Sequence, residues 1–338
     1  MKKHIAIIAG GDSSEHEVSL RSAAGIYSFL DKERYEVHIV RMRGRQWEVK
    51  LTPAIPEERE IWVPIDKNDF SYTYQGEKRT FDYAYITIHG TPGENGLLQG
   101  YLEMMGIPFS CCGVLAAALT FNKYACNHYL SYFGFHIAKS MMLRAGQKWP
   151  NAQKIADTLG LPCFIKSNVG GSSFGCTKVK TVEDVYPAIE RAFKEGDEVI
   201  CESYMKGTEV TCGVYKTKDK AVAFPITEVV TKNEFFDYDA KYKGQVSEIT
   251  PARIPDAIRD KIQAETLRIY DIIGANGIIR VDWIITGEQI NLLEVNTTPG
   301  MTATSFIPQQ VRAAGLDIKE VLTDIIEDHF VNRTQTAG

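Results

Sequence analysis

The chain has 338 residues, 44% apolar and 24% charged, with a formal net charge of -5, a composition that suits a soluble globular protein of two or three domains. The acidic balance argues against a nucleic-acid binder, and no stretch approaches the roughly 18 apolar residues of a membrane span. The opening MKKHIAIIAGG is too short an apolar run for a signal-peptide core, so a cytoplasmic location is expected, and seven cysteines without a Cys-x-x-Cys pair read as small buried hydrophobes in a reducing compartment rather than a zinc site or a catalytic thiol.

His4 to Ala9 reads as a buried strand and Gly10-Gly11 as a tight turn. Asp12, Ser13 and Ser14 are candidate caps for a helix carried by Val18, Leu20, Ala23, Ala24, Tyr27 and Leu30. Tyr35 to Val40 is the next strand, so the chain opens as a parallel α/β sheet. Residues 41–80 carry Pro53, Pro56, Pro64 and mixed charge, and read as a loop-rich excursion. A strand over 81–88, a helix over 97–105 and a short strand over 107–110 complete a first domain, residues 1–110.

Residues 114–134 read as helix, as do 155–159, ended by Gly160. Strands at 163–166 and 176–179 flank a glycine-serine loop. A helix over 182–193 and a strand over 198–203 complete an α+β block, residues 111–201. Residues 202–338 hold strands at 210–215 and 221–225, a helix over 255–273 and a hairpin of 278–285 with 289–294. A last helix spans 318–330.

The hairpin carries the strongest chemical signal. Asp282 lies in one strand, Glu294 and Asn296 in the other, and the two-residue period of strands puts Glu294 and Asn296 on one face. Two carboxylates and an amide oxygen make a hard-oxygen set of the kind magnesium takes together with substrate phosphates. Two exposed acids on a surface hairpin are the bland alternative, and the apolar neighbours Ile278, Ile279, Leu292 and Leu293 weigh against it. The second signal is Lys166-Ser-Asn-Val-Gly-Gly-Ser-Ser-Phe-Gly175. Gly170 and Gly171 free backbone amides which, with Ser172 and Ser173, can cradle a phosphate. It is not a Walker A loop, and a plain hairpin turn is its bland alternative. Lys123 is a further candidate phosphate cation.

These segments together resemble the D-alanine–D-alanine ligases of the ATP-grasp superfamily. The resemblance runs through GGDSSEHEVSL (10–20), IHGTPGENGLLQG (88–100), the Lys123 region, IKSNVGGSSFG (165–175), ESYMKGTEVT (202–211), FFDYDAKYKG (235–244), IIRVDWI (278–284) and LLEVNTTPGMTATS (292–305). It implies a three-domain ATP-grasp architecture, α/β and α+β, with ATP held between the two C-terminal domains. It also implies two Mg2+ or Mn2+ ions, a homodimer, and formation of D-alanyl-D-alanine for peptidoglycan through an acyl phosphate.

By the same resemblance Glu15 binds the ammonium of the first D-alanine, with His89 nearby. Glu15, Ser172 and Tyr242 match a hydrogen-bonded set that closes a mobile loop over the reactants. Lys123, Lys166 and Lys241 match phosphate-binding lysines, and Ser173 belongs to the phosphate loop. Glu202 and Glu209 match adenine-side and ribose-side acids, with Ser203 to Met205 supplying backbone contacts to adenine. Asp282, Glu294 and Asn296 match the metal ligands, Glu294 bridging two ions. Arg280 and the Gly300 amide match oxyanion stabilisers, and Ser305 matches the ligand of the second D-alanine's carboxylate.

Three departures stand out: the extra sequence at 41–80, Asn168-Val169 in place of a more charged pair, and Phe306 where leucine is common, which bears on the second-substrate pocket. A depsipeptide ligase, differing near Tyr242, and another ATP-grasp carboxylate–amine ligase are the rival enzymes. A nucleotide-binding regulator is the non-enzymatic rival.

Overall fold

The computed structural model describes residues 2–51, 60–171, 175–231 and 246–336. Three sheets organise them. The first has seven strands in the order β6-β5-β4-β3-β2-β1-β7. Strands β1 (Lys3–Gly10), β2 (Tyr35–Arg43) and β7 (Tyr83–Ile86) are parallel, and α1 (His16–Phe29) packs on them. The parallel α/β expectation holds for this part.

Residues 41–80 differ from the loop-rich reading. They form β3 (Gln46–Leu51), β4 (Ile61–Asp66), β5 (Ser71–Tyr74) and β6 (Glu77–Arg79), which extend the sheet antiparallel. Pro64 sits where β4 pairs with β3 alone, since β5 reaches only Ile65 and Asp66, so its missing N–H is tolerated near an edge. Val49, Ile65, Phe70 and Tyr72 bury the inner face. The cap reading at 12–14 also differs: α1 begins after Glu15 with no side-chain cap bond. Asp12 instead accepts the Gly44 N–H at 2.6 Å, and Ser13 Oγ donates to the His89 carbonyl at 2.6 Å. Residues 107–110 give only an isolated bridge from Phe109 to Ala84.

After α2 (Leu97–Met104), the stretch read as one helix over 114–134 is two, α3 (Val114–Phe121) and α4 (Lys123–Ser131). They are divided at Asn122, whose side chain caps α4 by accepting the Ala125 N–H at 2.9 Å. Both helices pack on β17 of the third sheet, and Ala116, Cys126 and Leu130 join its core. The second sheet is antiparallel, in the order β10-β9-β11-β8. It is built from β8 (Ser140–Arg144), β9 (Cys163–Ser167), β10 (Thr177–Val179) and β11 (Glu198–Ser203), and is covered by α5 (Ala152–Leu159) and α6 (Val185–Ala192) through Ile155, Leu159, Ala188 and Ile189.

The third sheet runs β15-β14-β12-β16-β17, with β13 (Ala221–Ala223) on β12. Its strands are β12 (Thr208–Lys216), β14 (Thr227–Thr231), β15 (Val246–Ile249), β16 (Ile278–Thr286) and β17 (Gln289–Asn296). Helix α7 (Asp256–Ile272) backs it, and Trp283, 1% exposed, satisfies its indole N–H on Thr266 Oγ1 at 3.1 Å. Helices α8 (Phe306–Ala313) and α9 (Ile318–Thr336) follow. Val321, Ile325 and Ile326 of α9 pack into the core around β1, β2 and α1, so the two ends of the chain share apolar burial. Gly277, just before β16, lets the backbone at Ser110 come close, because a Cβ there would sit 1.8 Å from the Ser110 carbonyl oxygen. All seven cysteines are free; six are buried and Cys176 is partly exposed.

Candidate active site

A cleft of about 720 Å3 opens between the second and third sheets and reaches Asp12–Glu15 of the first. Its wall includes Glu15, Lys123, Lys166, the 202–205 strand end, Glu209, Arg280, Asp282 and Glu294.

The β16–β17 hairpin has the register the alternation demanded. Asp282 faces Glu294 directly and Arg280 faces Asn296, with a bulge after Asp282. Val281 and Val295 point the other way, into the core. Arg280 grips Asp282 through two bonds, Nε to Oδ1 at 2.9 Å and Nη2 to Oδ2 at 2.8 Å. Thr211 Oγ1 and Asn296 Nδ2 also donate to Asp282. Burial opposes the charge of Arg280, but Asp282 outweighs it and holds the guanidinium above its ordinary range. Phe306 was expected in the second-substrate pocket. It is 9% exposed, lies off the cleft wall, and its ring centroid is 5.3 Å from the Arg280 guanidinium, so it backs that cation.

Two lysines face the cleft from opposite walls. Lys166 Nζ is 2.7 Å from Glu202, whose side chain is 6% exposed. Burial pulls Lys166 down and the charge of Glu202 more than compensates, so it stays protonated. Lys123 Nζ donates to the Gly170 carbonyl at 2.6 Å and lies 3.6 Å from Glu294. Glu209, on the strand beside β16, is pushed up to about 8 by burial and then by the charges of Asp282 and Glu294.

At the far end Glu15 is 7% exposed, and a Cβ on Gly171 would sit 2.5 Å from its Oε2, so only glycine lets the loop come this close. His89, also 7% exposed, has Nε2 3.4 Å from Ser22 Oγ, which in turn accepts the Met301 N–H at 3.5 Å. Ser305 Oγ lies 3.0 Å from where a Gly300 Cβ would stand and accepts the Thr302 N–H at 3.1 Å. His89, Gly300 and Ser305 thus lie close together through Ser22, Met301 and Thr302, and none of them lines the 720 Å3 cleft. Asn296 opens on an adjoining cavity of about 30 Å3 with Glu94, Lys123 and Glu294. Ser172, Ser173, Lys241 and Tyr242 lie outside the described residues.

Glu94 was missed from sequence, although it stands inside the segment 88–100. Its carboxylate accepts the Gly90 N–H at 2.7 Å, and burial pushes it up to about 7. The signal available was a carboxylate among glycines, five residues after His89.

The residues present fit divalent ions. Asp282, Glu294 and Asn296 put oxygens on one face. Among the described residues no three His, Cys, Asp or Glu side chains form a self-sufficient metal centre. That is the composition of a set completed by phosphate oxygens.

Comparison with known proteins agrees over the whole chain. The family model for the D-ala D-ala ligase N-terminus matches residues 4–112, and that for the D-ala D-ala ligase C-terminus matches 129–327. The D-alanine--D-alanine ligase of Bacteroides fragilis (strain YCH46) is 64% identical over 331 residues, 98% of this chain and 100% of that protein. That of Porphyromonas gingivalis (strain W83) is 57% identical, covering 99% of this chain and 100% of that protein. Among solved structures, D-alanyl-alanine synthetase A from Vibrio cholerae superposes with a TM-score of 0.85 at 30% identity, covering 98% of this chain and 99% of that one. The D-alanine--D-alanine ligase of Bacillus anthracis complexed with ATP gives 0.77 at 26% identity, covering 99% of each chain.

Proposed function

The chain belongs to the D-alanine–D-alanine ligase family, and on that premise we propose that it joins two D-alanine molecules to D-alanyl-D-alanine at the expense of ATP, for peptidoglycan synthesis. One observation carries the reading at this site: a single cleft brings the Asp282–Glu294 pair, the cations Lys123 and Lys166, and Glu15 to one set of walls.

The chemistry divides into two displacements. A carboxylate oxygen of the first D-alanine attacks the γ-phosphorus, the bond to the β-phosphate oxygen breaks, and ADP leaves. The amine of the second D-alanine, having lost a proton, attacks the acyl carbon. The carbon–oxygen bond to phosphate breaks and phosphate leaves. Positioning and charge carry most of such a transfer.

Lys123 and Lys166, with Lys241, take the phosphates, and Ser173 of the glycine-serine loop donates to them. The Glu202–Met205 strand end takes adenine, and Glu209 the ribose. Glu15 holds the ammonium of the first substrate beside His89. Arg280 and the Gly300 N–H face the developing oxyanion, and Ser305 takes the second carboxylate. Asp282, Glu294 and Asn296 would hold two divalent ions, Mg2+ or Mn2+, which supply neutralisation of phosphate charge. Tyr242, with Ser172 and Glu15, favours an amine over a hydroxyl as second nucleophile. The reading also includes a homodimer in the cytoplasm. In support of a non-membrane protein, none of the described helices is long and apolar enough to cross a membrane.

Phosphate release from ATP tests the proposal, run with D-alanine, L-alanine, and D-alanine plus D-lactate. Release with D-alanine alone, giving ADP and the dipeptide, is expected. Equal turnover with L-alanine, or AMP as product, overturns it.

A further inference from the structure

Asn168 is fully buried at the root of the glycine-rich loop, and every polar atom of its side chain is committed. Its Nδ2 donates to Glu198 Oε2 at 2.8 Å, and its Oδ1 accepts the Tyr124 N–H at 2.8 Å. The donor on one side and the acceptor on the other fix the orientation of the amide. Its backbone repeats the link: its N–H donates to the Glu198 carbonyl at 2.9 Å, and its carbonyl accepts the Lys123 N–H at 3.1 Å. Glu198 is held by two further donors, Asn122 Nδ2 at 3.1 Å and Arg144 Nε at 2.9 Å.

The two elements so joined belong to opposite walls of the cleft. Asn168 and Glu198 follow β9 and open β11 of the second sheet. Tyr124 and Lys123 begin α4, which packs on β17 of the third, where Asn127 Nδ2 donates to the Leu293 carbonyl at 3.1 Å. Two residues beyond Asn168, the Gly170 carbonyl receives Lys123 Nζ.

We propose that Asn168, through Glu198 and the first turn of α4, is a positioning residue that sets Lys123 at the phosphate end of the cleft. The proposal rests on the reading of Lys123 as a phosphate cation. Aspartate is the sharpest probe, because it keeps the acceptor for Tyr124 and replaces the N–H facing Glu198 by a lone pair. Glu198→Gln then supplies a donor from the other side, although its amide nitrogen loses the bond that the same oxygen accepts from Asn122 Nδ2.

The test is calorimetric titration of the full chain with magnesium and a non-hydrolysable ATP analogue, and separately with adenosine. Asn168→Asp should weaken the analogue about tenfold or more, the loss expected when a hydrogen bond to a charged group is replaced by repulsion. Adenosine should bind as before. Glu198→Gln alone should show a smaller loss of the same pattern, and the double variant should bind the analogue more tightly than Asn168→Asp alone, short of wild type because Asn122 loses its acceptor. In a Lys123→Met background, Asn168→Asp should have no further effect. Equal loss for adenosine, failure of the double variant to recover, or an additive loss in the Lys123→Met background overturns the positioning role. Wild-type affinity of Lys123→Met itself overturns the phosphate reading of Lys123 instead.

Discussion

Replacing Lys166 by methionine keeps most of its aliphatic stem and removes the cation that faces Glu202. The pair is 2.7 Å apart, with side-chain exposures of 15% and 6%. At that separation and an effective dielectric of about 20, the gross attraction is about 6 kcal/mol, largely offset by the desolvation of both charges. Methionine strands the carboxylate, and removing one partner of a buried pair costs about 3–5 kcal/mol. Because the pair borders the cleft, the lower end applies, about 3 kcal/mol, or a fall in melting temperature of about 4 °C for a chain of 338 residues. Adding Glu202→Gln removes the stranded charge and should restore about half of the loss or more. Both variants should bind magnesium–ATP poorly, since neither restores the phosphate cation. Thermal unfolding without nucleotide, followed by circular dichroism, measures the first effect, and calorimetric titration the second. Identical midpoints for the single and double variants would refute the stranded-charge argument. Wild-type nucleotide affinity in Lys166→Met would refute the phosphate role.

Glu294→Gln should fold normally by circular dichroism and lose most turnover, because a neutral amide cannot compensate cationic charge as a carboxylate does; near-normal turnover would remove Glu294 from the metal set. Gly171→Ala should raise KM for D-alanine about tenfold or more, since its Cβ would meet Glu15 Oε2 at 2.5 Å, and an unchanged KM would contradict that contact. Glu209 is raised to about 8 in the folded chain, against an ordinary value of 4.5. Its contribution to stability is complete below about 4.5 and is lost as pH rises toward 8, because the folded state keeps a proton that the unfolded state releases. Glu209→Gln should therefore flatten the decline of the metal-free urea midpoint between about pH 5 and 8, and a slope equal to wild type would count against it.

The hairpin was legible because strand alternation is rigid: once Asp282, Glu294 and Asn296 lie in strands, their shared face follows. The start of the α/β sheet was legible for a similar reason, an apolar run meeting two glycines. Where reading failed, a distant partner had decided the outcome. Asp12 looks like a helix cap, yet the amide of Gly44, 32 residues away, takes its carboxylate. Pro64 argued for a loop, yet β5 stops short of it. The contact of Phe306 with the Arg280 guanidinium, between residues 26 apart, likewise could not be read from the sequence. Asn168 was legible only as a departure from a motif, since its partners Tyr124 and Glu198 stand 44 and 30 residues away.

Three cations of the cleft, Lys123, Lys166 and Arg280, share one circumstance. Lys123 faces Glu294, Lys166 faces Glu202 and Arg280 faces Asp282, so each positive charge already has a carboxylate partner. A triphosphate that draws on these cations loosens the pairs and leaves poorly exposed carboxylates uncovered, which opposes binding. Divalent cations held on the proposed Asp282–Glu294 face would cover Asp282 and Glu294 as they are released. Nucleotide and metal affinities are then coupled, and linkage makes the coupling reciprocal. Titration of ATP with EDTA present should give an affinity at least about tenfold weaker than with magnesium, and ATP should tighten magnesium by the same factor. In Glu294→Gln the coupling should shrink, because one of the carboxylates that must be covered is gone. Equal ATP affinity with and without magnesium would mean that the phosphates reach the lysines without disturbing their pairs, and the exchange argument would fail.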